Sequence, residues 1–408
     1  MTKNALSSVP GFKATGIACG IKASGNKDLA VILADNPSTA ATMFTTNSFQ
    51  AAPVLYDKAL MERTKGAGIR AILVNAGNAN ACTGDQGDQD AEQMSRWLEE
   101  KAGLPADSVF VMSTGIIGHH LPMDIIQAGV ADALGTLEND PNGGTHAAEA
   151  IMTTDTWSKE SFRQVEIGGH TVSIGGVAKG SGMIHPDMAT MLSAVVTDAN
   201  VSQADLDTAL RTAVNASFNR VTVDGDTSTN DTIVLLANGQ ANDVPLSGED
   251  LAAFTETLTA LCVDLAKMIA RDGEGATKLI EVQVGGAASD EDAVAAARTI
   301  AISPLVKTAI FGNDPNWGRF VMAIGRSGAQ VDVSKANLWL EVPAANNKVQ
   351  LVEQGQPLPF DADTLSKQLH DASDVVVQAD LGLGTGASTY WTCDFSYKYV
   401  EINAEYHT

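Results

Sequence analysis

Aromatic residues are scarce in this chain: Phe, Trp and Tyr supply 5% of its 408 residues, against 44% hydrophobic residues in all. Small aliphatic side chains must therefore do most of the packing, in a composition that is otherwise that of a globular protein with room for two or three domains. Cysteine is equally sparse. Cys19, Cys82, Cys262 and Cys393 form neither a CxxC pair nor a Cys/His pattern, which argues against zinc and suits a reducing compartment. No stretch reaches the roughly eighteen uninterrupted apolar residues of a membrane span, and the N-terminal MTKNALSSVPGFKATG has no apolar core of signal-peptide length. A soluble, cytoplasmic protein with no membrane partner is expected.

Positive charge is also short. Lys and Arg number 26 against 49 Asp and Glu, a net charge of −23. Up to Ala189 there are 20 acids and 13 bases, and from Thr190 onward 29 and 13. A surface of this sign repels phosphate backbones, so nucleic acid is not an expected partner. The phosphate-cradling motifs are missing too. GGVAKGSG (175–182) lacks the G-x-x-x-x-G-K-[ST] spacing, and no G-x-G-x-x-G follows a strand with an acid about twenty residues further on. VDGDTSTND (223–231) crowds three aspartates but has neither the glycine position nor the terminal Glu of a calcium loop. His119 and His120 have no third ligand at metal spacing and read as structural or exposed. No metal is expected.

What the chain does have is glycine, 37 residues of it, and one notable concentration. The stretch Gly175 to Thr197 reads GGVAKGSGMIHPDMATMLSAVVT. Gly175, Gly176, Gly180 and Gly182 surround Lys179 in what reads as a flexible loop, followed by Pro186 and Asp187. The chain then turns into an apolar, β-branched run from Met191 to Val196. Thr190 stands at the junction, preceded by the small Ala189. A hydroxyl there, with a lysine nearby, is a candidate nucleophile. Thr also opens strands for its β-branching alone, and the residue pattern leaves both readings open.

Elsewhere the chain alternates short strands and helices. Apolar runs predict strands at Leu29 to Leu33 (ended by Asp35-Asn36-Pro37, a strong breaker), Ala71 to Val74, Val109 to Met112 and Thr232 to Leu236, with a hairpin joining Val165–Ile167 to Val172–Val177. Helices are predicted over Ala91 to Leu98, Met123 to Leu134, His146 to Ile151, from Ser202 onward, and from Glu249 to Ala270. Gly273 suits the left-handed position past the last of these. Beyond Leu279 the texture suggests a smaller α/β domain. Its predicted helices are Asp290 to Ala301, Pro304 to Ile310 and Asp363 to Asp371. Its predicted strands are Phe320 to Ile324, Leu338 to Val342, Val349 to Val352, Val375 to Ala379 and Tyr390 to Ile402.

Four segments sit where chemistry could occur. NAGNANACTG (75–84) follows a strand and offers either donors to a ligand or a self-bonded turn, since Asn and Gly dominate turns. Thr114-Gly115, at another strand end, could turn a hydroxyl and a backbone N–H toward an oxyanion. MTTDTWSK (152–159) is a poor helix interior and reads as a polar edge. Glu274, between Gly273 and Gly275, lies on a turn and by itself reads as a solvated loop acid.

KGSGMIHPDMATML (179–192) resembles the signature of the ornithine acetyltransferases, the bifunctional enzymes of arginine biosynthesis. NAGNANACTG, STGIIG, MTTDT, VDGDTSTND, DGEGATK, NDPNWGR and the C-terminal NAEYHT resemble family blocks, in family order, over essentially the whole length. Ala76 departs, standing where the family is associated with serine. The resemblance implies a mixed α/β (α+β) layered fold with two central sheets between helices, residues 1–278, and a smaller C-terminal α/β domain, residues 279–408. It implies self-cleavage between Ala189 and Thr190 into an α chain (1–189) and a β chain (from 190), assembled as an α2β2 heterotetramer. Thr190 would then carry the acetyl group from N2-acetyl-L-ornithine to L-glutamate in a ping-pong cycle. Thr114 and Gly115 would form the oxyanion hole. Thr153 (in preference to Thr154), Lys179, Thr190, Glu274, Asn403 and Thr408 would contact substrate. No cofactor is implied, acetyl-CoA entering only as a further acetyl donor in bifunctional members. The alternative is a self-cleaving amidohydrolase or aminopeptidase of the same architecture; a binding protein without catalysis would leave Thr190 uncut.

Cleavage would free an α-amine, whose reference pKa is near 8, on the residue that bears the hydroxyl, so nucleophile and base arrive together. Denaturing electrophoresis of the purified protein should therefore show two fragments meeting at residues 189/190. Thr190→Ala should abolish both cleavage and transfer, while Thr190→Ser keeps part of each. A single band at 42.5 kDa from the wild type would remove the mechanism.

Overall fold

The structure is a computed structural model describing residues 3–137, 140–185 and 191–405. Ala189, Thr190 and Thr408 lie outside the described residues. The fold is mixed α/β, with two sheets and, among the described residues, eleven α-helices. The chain divides into two compact units. One comprises residues up to Asn219 together with Asp226–Leu265, the other Arg220–Gly225 and the chain from Ala266 on.

The first unit is built on β1 (Phe12–Ile17), β2 (Leu29–Phe44), β3 (Ile69–Asn78), β4 (Val109–Ile116), β5 (Lys159–Ile167), β6 (His170–Lys179), β7 (Leu192–Thr197) and β8 (Thr232–Ala237). Helices α1 (Ala52–Thr64), α2 (Gly84–Ala102), α3 (Met123–Leu137), α4 (Gly143–Ala150), α5 (Gln203–Ala216) and α6 (Gly248–Arg271) punctuate them, α6 running on into the second unit. The sheet order is β4-β3-β2-β8-β7-β6-β5, with β1 also on β2. Pairs β3–β4 and β7–β8 are parallel, the others antiparallel. Asp35-Asn36-Pro37 does not end β2. Those three residues are exposed, the register against β3 shifts between Leu33 and Ser38, and β2 changes neighbours there, from β1 and β3 to β8. Proline, with no N–H to give a ladder, is tolerated at such an irregularity.

The glycines of the 175–182 stretch are another correction. Gly175 and Gly176 lie inside β6, paired on both sides, and not in a flexible loop. What they supply is room. A Cβ on Gly175 would come within 2.2 Å of the Ala5 carbonyl oxygen, and one on Gly176 within 2.9 Å of Leu261 on α6. The N-terminal segment and α6 thus close on opposite faces of the strand that ends at Lys179.

The second unit carries β9 (Leu279–Ala287), α7 (Asp290–Ala301), α8 (Pro304–Phe311), α9 (Trp317–Gly325), β10 (Asn337–Val342), β11 (Asn347–Glu353), β12 (Gln356–Pro357), α10 (Ala362–Asp371), β13 (Asp374–Asp380), β14 (Gly386–Cys393) and α11 (Tyr397–Glu405). Its sheet order is β12-β11-β10-β13-β9-β14. Val282 of β9 shares one core with Leu340, Val377, Phe320 and Ile300. Two predicted strands are helical in whole or in part. Phe320–Ile324 belongs to α9, where Phe320, Ala323 and Ile324 are the buried positions; five consecutive apolar residues do not separate a strand from a helix by periodicity. Tyr390–Ile402 is a strand only to Cys393, after which α11 begins, with Tyr397 and Val400 exposed. Gly273 is not left-handed; Gly275 is, at φ 70°. A Cβ on Gly273 would sit 2.6 Å from Cys393 Sγ, so its smallness serves packing.

Gly176→Ala should lower unfolding stability by about 1–3 kcal/mol, the usual cost of overpacking. Gly175→Ala should cost more, because its obstacle is backbone and cannot swing aside. Urea unfolding of both variants tests the order; equal midpoints to wild type would refute the close approach.

Candidate active site

Strands β3 and β4 run parallel, and near their ends Gly77 stands beside Gly115. Gly115 has φ 134°, and a Cβ there would fall 2.3 Å from the Gly77 carbonyl carbon. No L side chain fits, so the backbone beyond Thr114 is bare. Asn75 and Asn78 lie in β3 itself and Asn80 just beyond it, and all three side-chain amides are held by backbone carbonyls, one within the segment and two outside it. Asn75 Nδ2 donates to the Asn78 carbonyl (2.9 Å), Asn78 Nδ2 to that of His120 (3.0 Å) and Asn80 Nδ2 to that of Gly87 (2.9 Å). Ser113 Oγ donates to Asn75 Oδ1 at 2.6 Å. Asn230 ties the two strand ends together, its Nδ2 donating to the carbonyls of Ala79 (2.6 Å) and Ser113 (2.9 Å).

Lys179, the last residue of β6, is buried, and its ammonium donates to Thr153 Oγ1 at 2.7 Å and Thr114 Oγ1 at 3.2 Å. The structure thus brings Lys179, Thr114 and Thr153 together, with Gly115 next in line, and it is Thr153 of the two adjacent threonines that meets the lysine. Leu192, two residues beyond Thr190, is the ladder partner of Lys179, and the Met191 carbonyl accepts from Thr232 N at 3.1 Å. A cation flanked by hydroxyls suits a carboxylate, and a hydroxyl beside a bare backbone turn suits an oxyanion.

The residue that arranges this group is one whose role the sequence did not reveal. Asp155 Oδ1 accepts from Gly180 N and from Lys159 Nζ, both at 2.7 Å, and its Oδ2 accepts from Thr153 N at 2.9 Å. Burial alone would raise its pKa, but the Lys159 and Lys179 ammonium groups and these hydrogen bonds hold it well below the usual carboxylate range. Asp155 lies inside the MTTDT block, yet nothing in the one-dimensional pattern pairs it with Gly180.

In the second unit Glu274 is buried, and Asn403 Nδ2, on α11, donates to its Oε2 at 2.7 Å. Ser396 Oγ donates to the Gly275 carbonyl at 2.6 Å, and a Cβ on Gly275 would lie 2.6 Å from Tyr399 N. Helix α11 is therefore seated on the turn that carries Glu274. Asp394 holds the other end of that turn, accepting from Thr277 N (2.7 Å) and Lys278 N (2.9 Å). Among the described residues no group of three or more His, Cys, Asp or Glu could hold a metal ion, and no single helix is long and apolar enough to cross a membrane.

Asp155→Asn should cost about 3–5 kcal/mol of stability at neutral pH, because it removes the carboxylate charge bonded to the fully buried Lys159. A carboxylate whose folded pKa is depressed contributes stability above its unfolded pKa, near 4, and loses it as pH falls through and below that value. The gap between wild type and variant should therefore be widest near neutrality and shrink in acid. A gap independent of pH would show that the charge is not what Asp155 contributes.

Comparison with known proteins agrees along the length of the chain. The ArgJ family model matches residues 13–408. The arginine biosynthesis bifunctional protein ArgJ of Symbiobacterium thermophilum is 48% identical over 402 residues, covering 98% of this chain and 97% of that protein. Its namesake in Synechococcus is 47% identical over 413 residues, covering 99% and 97%. The crystal structure of an arginine biosynthesis bifunctional protein argJ from Bacillus halodurans superposes with a TM-score of 0.50 at 46% identity, covering 53% of this chain and 100% of its own. With a family model over nearly the whole sequence and relatives this similar end to end, the chain belongs to the ArgJ family.

Proposed function

We propose that the protein is an acyltransferase that moves the acetyl group of N2-acetyl-L-ornithine to L-glutamate, with Thr190 as the carrier. The observation that carries this reading is the convergence of Lys179, Thr114 and Thr153 beside Gly115, in a chain of the ArgJ family. Thr190 first attacks the carbonyl carbon of Ala189. The Ala189–Thr190 C–N bond breaks as the acyl group moves to Oγ, the hydroxyl proton passing to the freed α-amine, and water then hydrolyses the ester to leave the Ala189 carboxylate and restore Oγ–H. The Bacillus halodurans chain supports such a cut: matched along its whole length, it accounts for 53% of the present chain, about the share that runs from Thr190 to the end.

In the transfer step the Thr190 amine takes the hydroxyl proton as Oγ attacks the acetyl carbonyl. Negative charge builds on the carbonyl oxygen, toward which we assign the Thr114 hydroxyl and Gly115 N–H; a donor of this kind contributes about 3 kcal/mol. Collapse breaks the C–N bond, the ammonium returns its proton to the departing amine, and ornithine leaves an acetyl ester on Thr190. The uncharged amine of glutamate then attacks that ester, giving N-acetyl-L-glutamate and restoring Oγ–H. Lys179 is assigned to the substrate α-carboxylate. Glu274, with Asn403 bonded to it, is assigned to the δ-ammonium of ornithine. The same reading keeps the two product chains associated as α2β2 in the cytoplasm.

Incubation with N-acetylornithine, with and without glutamate, tests the reaction class. Ornithine release should depend on glutamate and match N-acetylglutamate formed mole for mole. Release at the same rate without glutamate would make water the acceptor and the protein an amidohydrolase. A parallel assay with acetyl-CoA and glutamate decides whether the thioester is a second donor.

A further inference from the structure

The two substrates assigned above share an α-carboxylate but differ at the far end. Ornithine ends in an ammonium and glutamate in a second carboxylate. Lys179 answers the shared group and Glu274 the ammonium, which leaves the γ-carboxylate of glutamate without a cation. A buried or half-buried carboxylate needs one.

A cavity of about 310 Å³ in the first unit is lined by Lys22, Ser24, Lys27, Glu149, Thr153 and Asp155. It shares Thr153 with the Lys179 group. Of its charges, Asp155 is taken up by Lys159, and Lys27 is paired with Glu149 at 2.5 Å. Lys22 differs. Its Nζ donates to the carbonyls of Lys27 (2.6 Å) and Ala150 (3.5 Å), and no ion pair joins it to a carboxylate among the described residues. Three protons serve two neutral acceptors, so one N–H is available to a ligand. Its backbone is fixed: Asp28, fully buried, accepts from the N–H groups of Cys19 (2.7 Å), Gly20 (3.1 Å) and Lys22 (2.9 Å). Its stem runs beside Gly77, where an added Cβ would lie 3.2 Å from Lys22 Cγ, and Gly77 is the ladder partner of Gly115.

Resting on the function proposed above, we propose that Lys22 is the acceptor-side cation, binding the γ-carboxylate of glutamate in the cavity it shares with Thr153. Burial brings the Lys22 ammonium down to about 8, Lys179 adding to the effect and Asp28 and Asp155 opposing it, with the Lys27–Glu149 pair completing the charged groups around it. A bound carboxylate would offset that burial, as expected of a cation held ready for an anion.

Lys22→Met and Lys22→Arg, assayed beside wild type, test the assignment. Lys22→Met should raise the KM for glutamate at least tenfold while the KM for N-acetylornithine moves less than twofold, and should reduce the preference for glutamate over glutamine to within about threefold. Lys22→Arg should restore both. The wild-type KM for glutamate should climb above pH 8 and that of Lys22→Arg should not. A Lys22→Met enzyme with unchanged glutamate KM and undiminished preference for glutamate overturns the proposal. Should Lys22→Met not fold, the wild type still decides, since equal use of glutamine and glutamate would show that no cation reads the γ-carboxylate. Absence of any transfer by wild type would instead overturn the function on which this inference rests.

Discussion

One buried carboxylate holds the candidate site of the first unit in shape. Asp155 joins the segment after α4, which carries Thr153, to the end of β6, where Gly180 follows Lys179. Without it, two segments distant in sequence would lose the tie that sets their backbones where Thr153 and Lys179 meet. A charged pair sealed from water contributes little net stability against an apolar replacement, because desolvation offsets most of the attraction. Its use here is geometric. It commits the backbone on both sides to one arrangement, and Lys179 inherits its position from that commitment.

The glycines serve the same end by different physics. Gly115 has a backbone angle closed to side chains, and Gly175 and Gly176 let the N-terminal segment and α6 press on both faces of β6. A strand gripped in this way has little freedom to translate, and a lysine at its end gains positional precision that flexibility in the same stretch would have cost.

Much of this is legible in the sequence, and the failures have physical causes. Long periodic segments such as α6, and capped or proline-opened ones such as α5 and α8, can be read from the chain because local chemistry decides them. Thr114, Thr153 and Lys179 stand out because they sit in motifs, and the structure brings them within hydrogen-bonding distance. Phe320–Ile324 misleads because five apolar residues carry no period. Asp35-Asn36-Pro37 misleads because a breaker acts on a ladder, and β2 changes ladders at that point. Asp155, Asn230 and Lys22 go unassigned because each acts through partners at long sequence separation or through a cavity that no local pattern encodes.

The sheet order also bears on what the cut proposed ahead of Thr190 would do to the chain. β7 and β8 follow Thr190 in sequence, whereas the strands flanking that pair, β6 and β2, precede it. The residues beyond Thr190 therefore contribute a two-stranded parallel insert gripped on both edges by antiparallel ladders from the residues before it. Dissociation of the two polypeptides that such a cut leaves would be an unfolding event rather than a binding equilibrium. Dilution should not part them, and their lifetime together is governed by the barrier to opening the sheet.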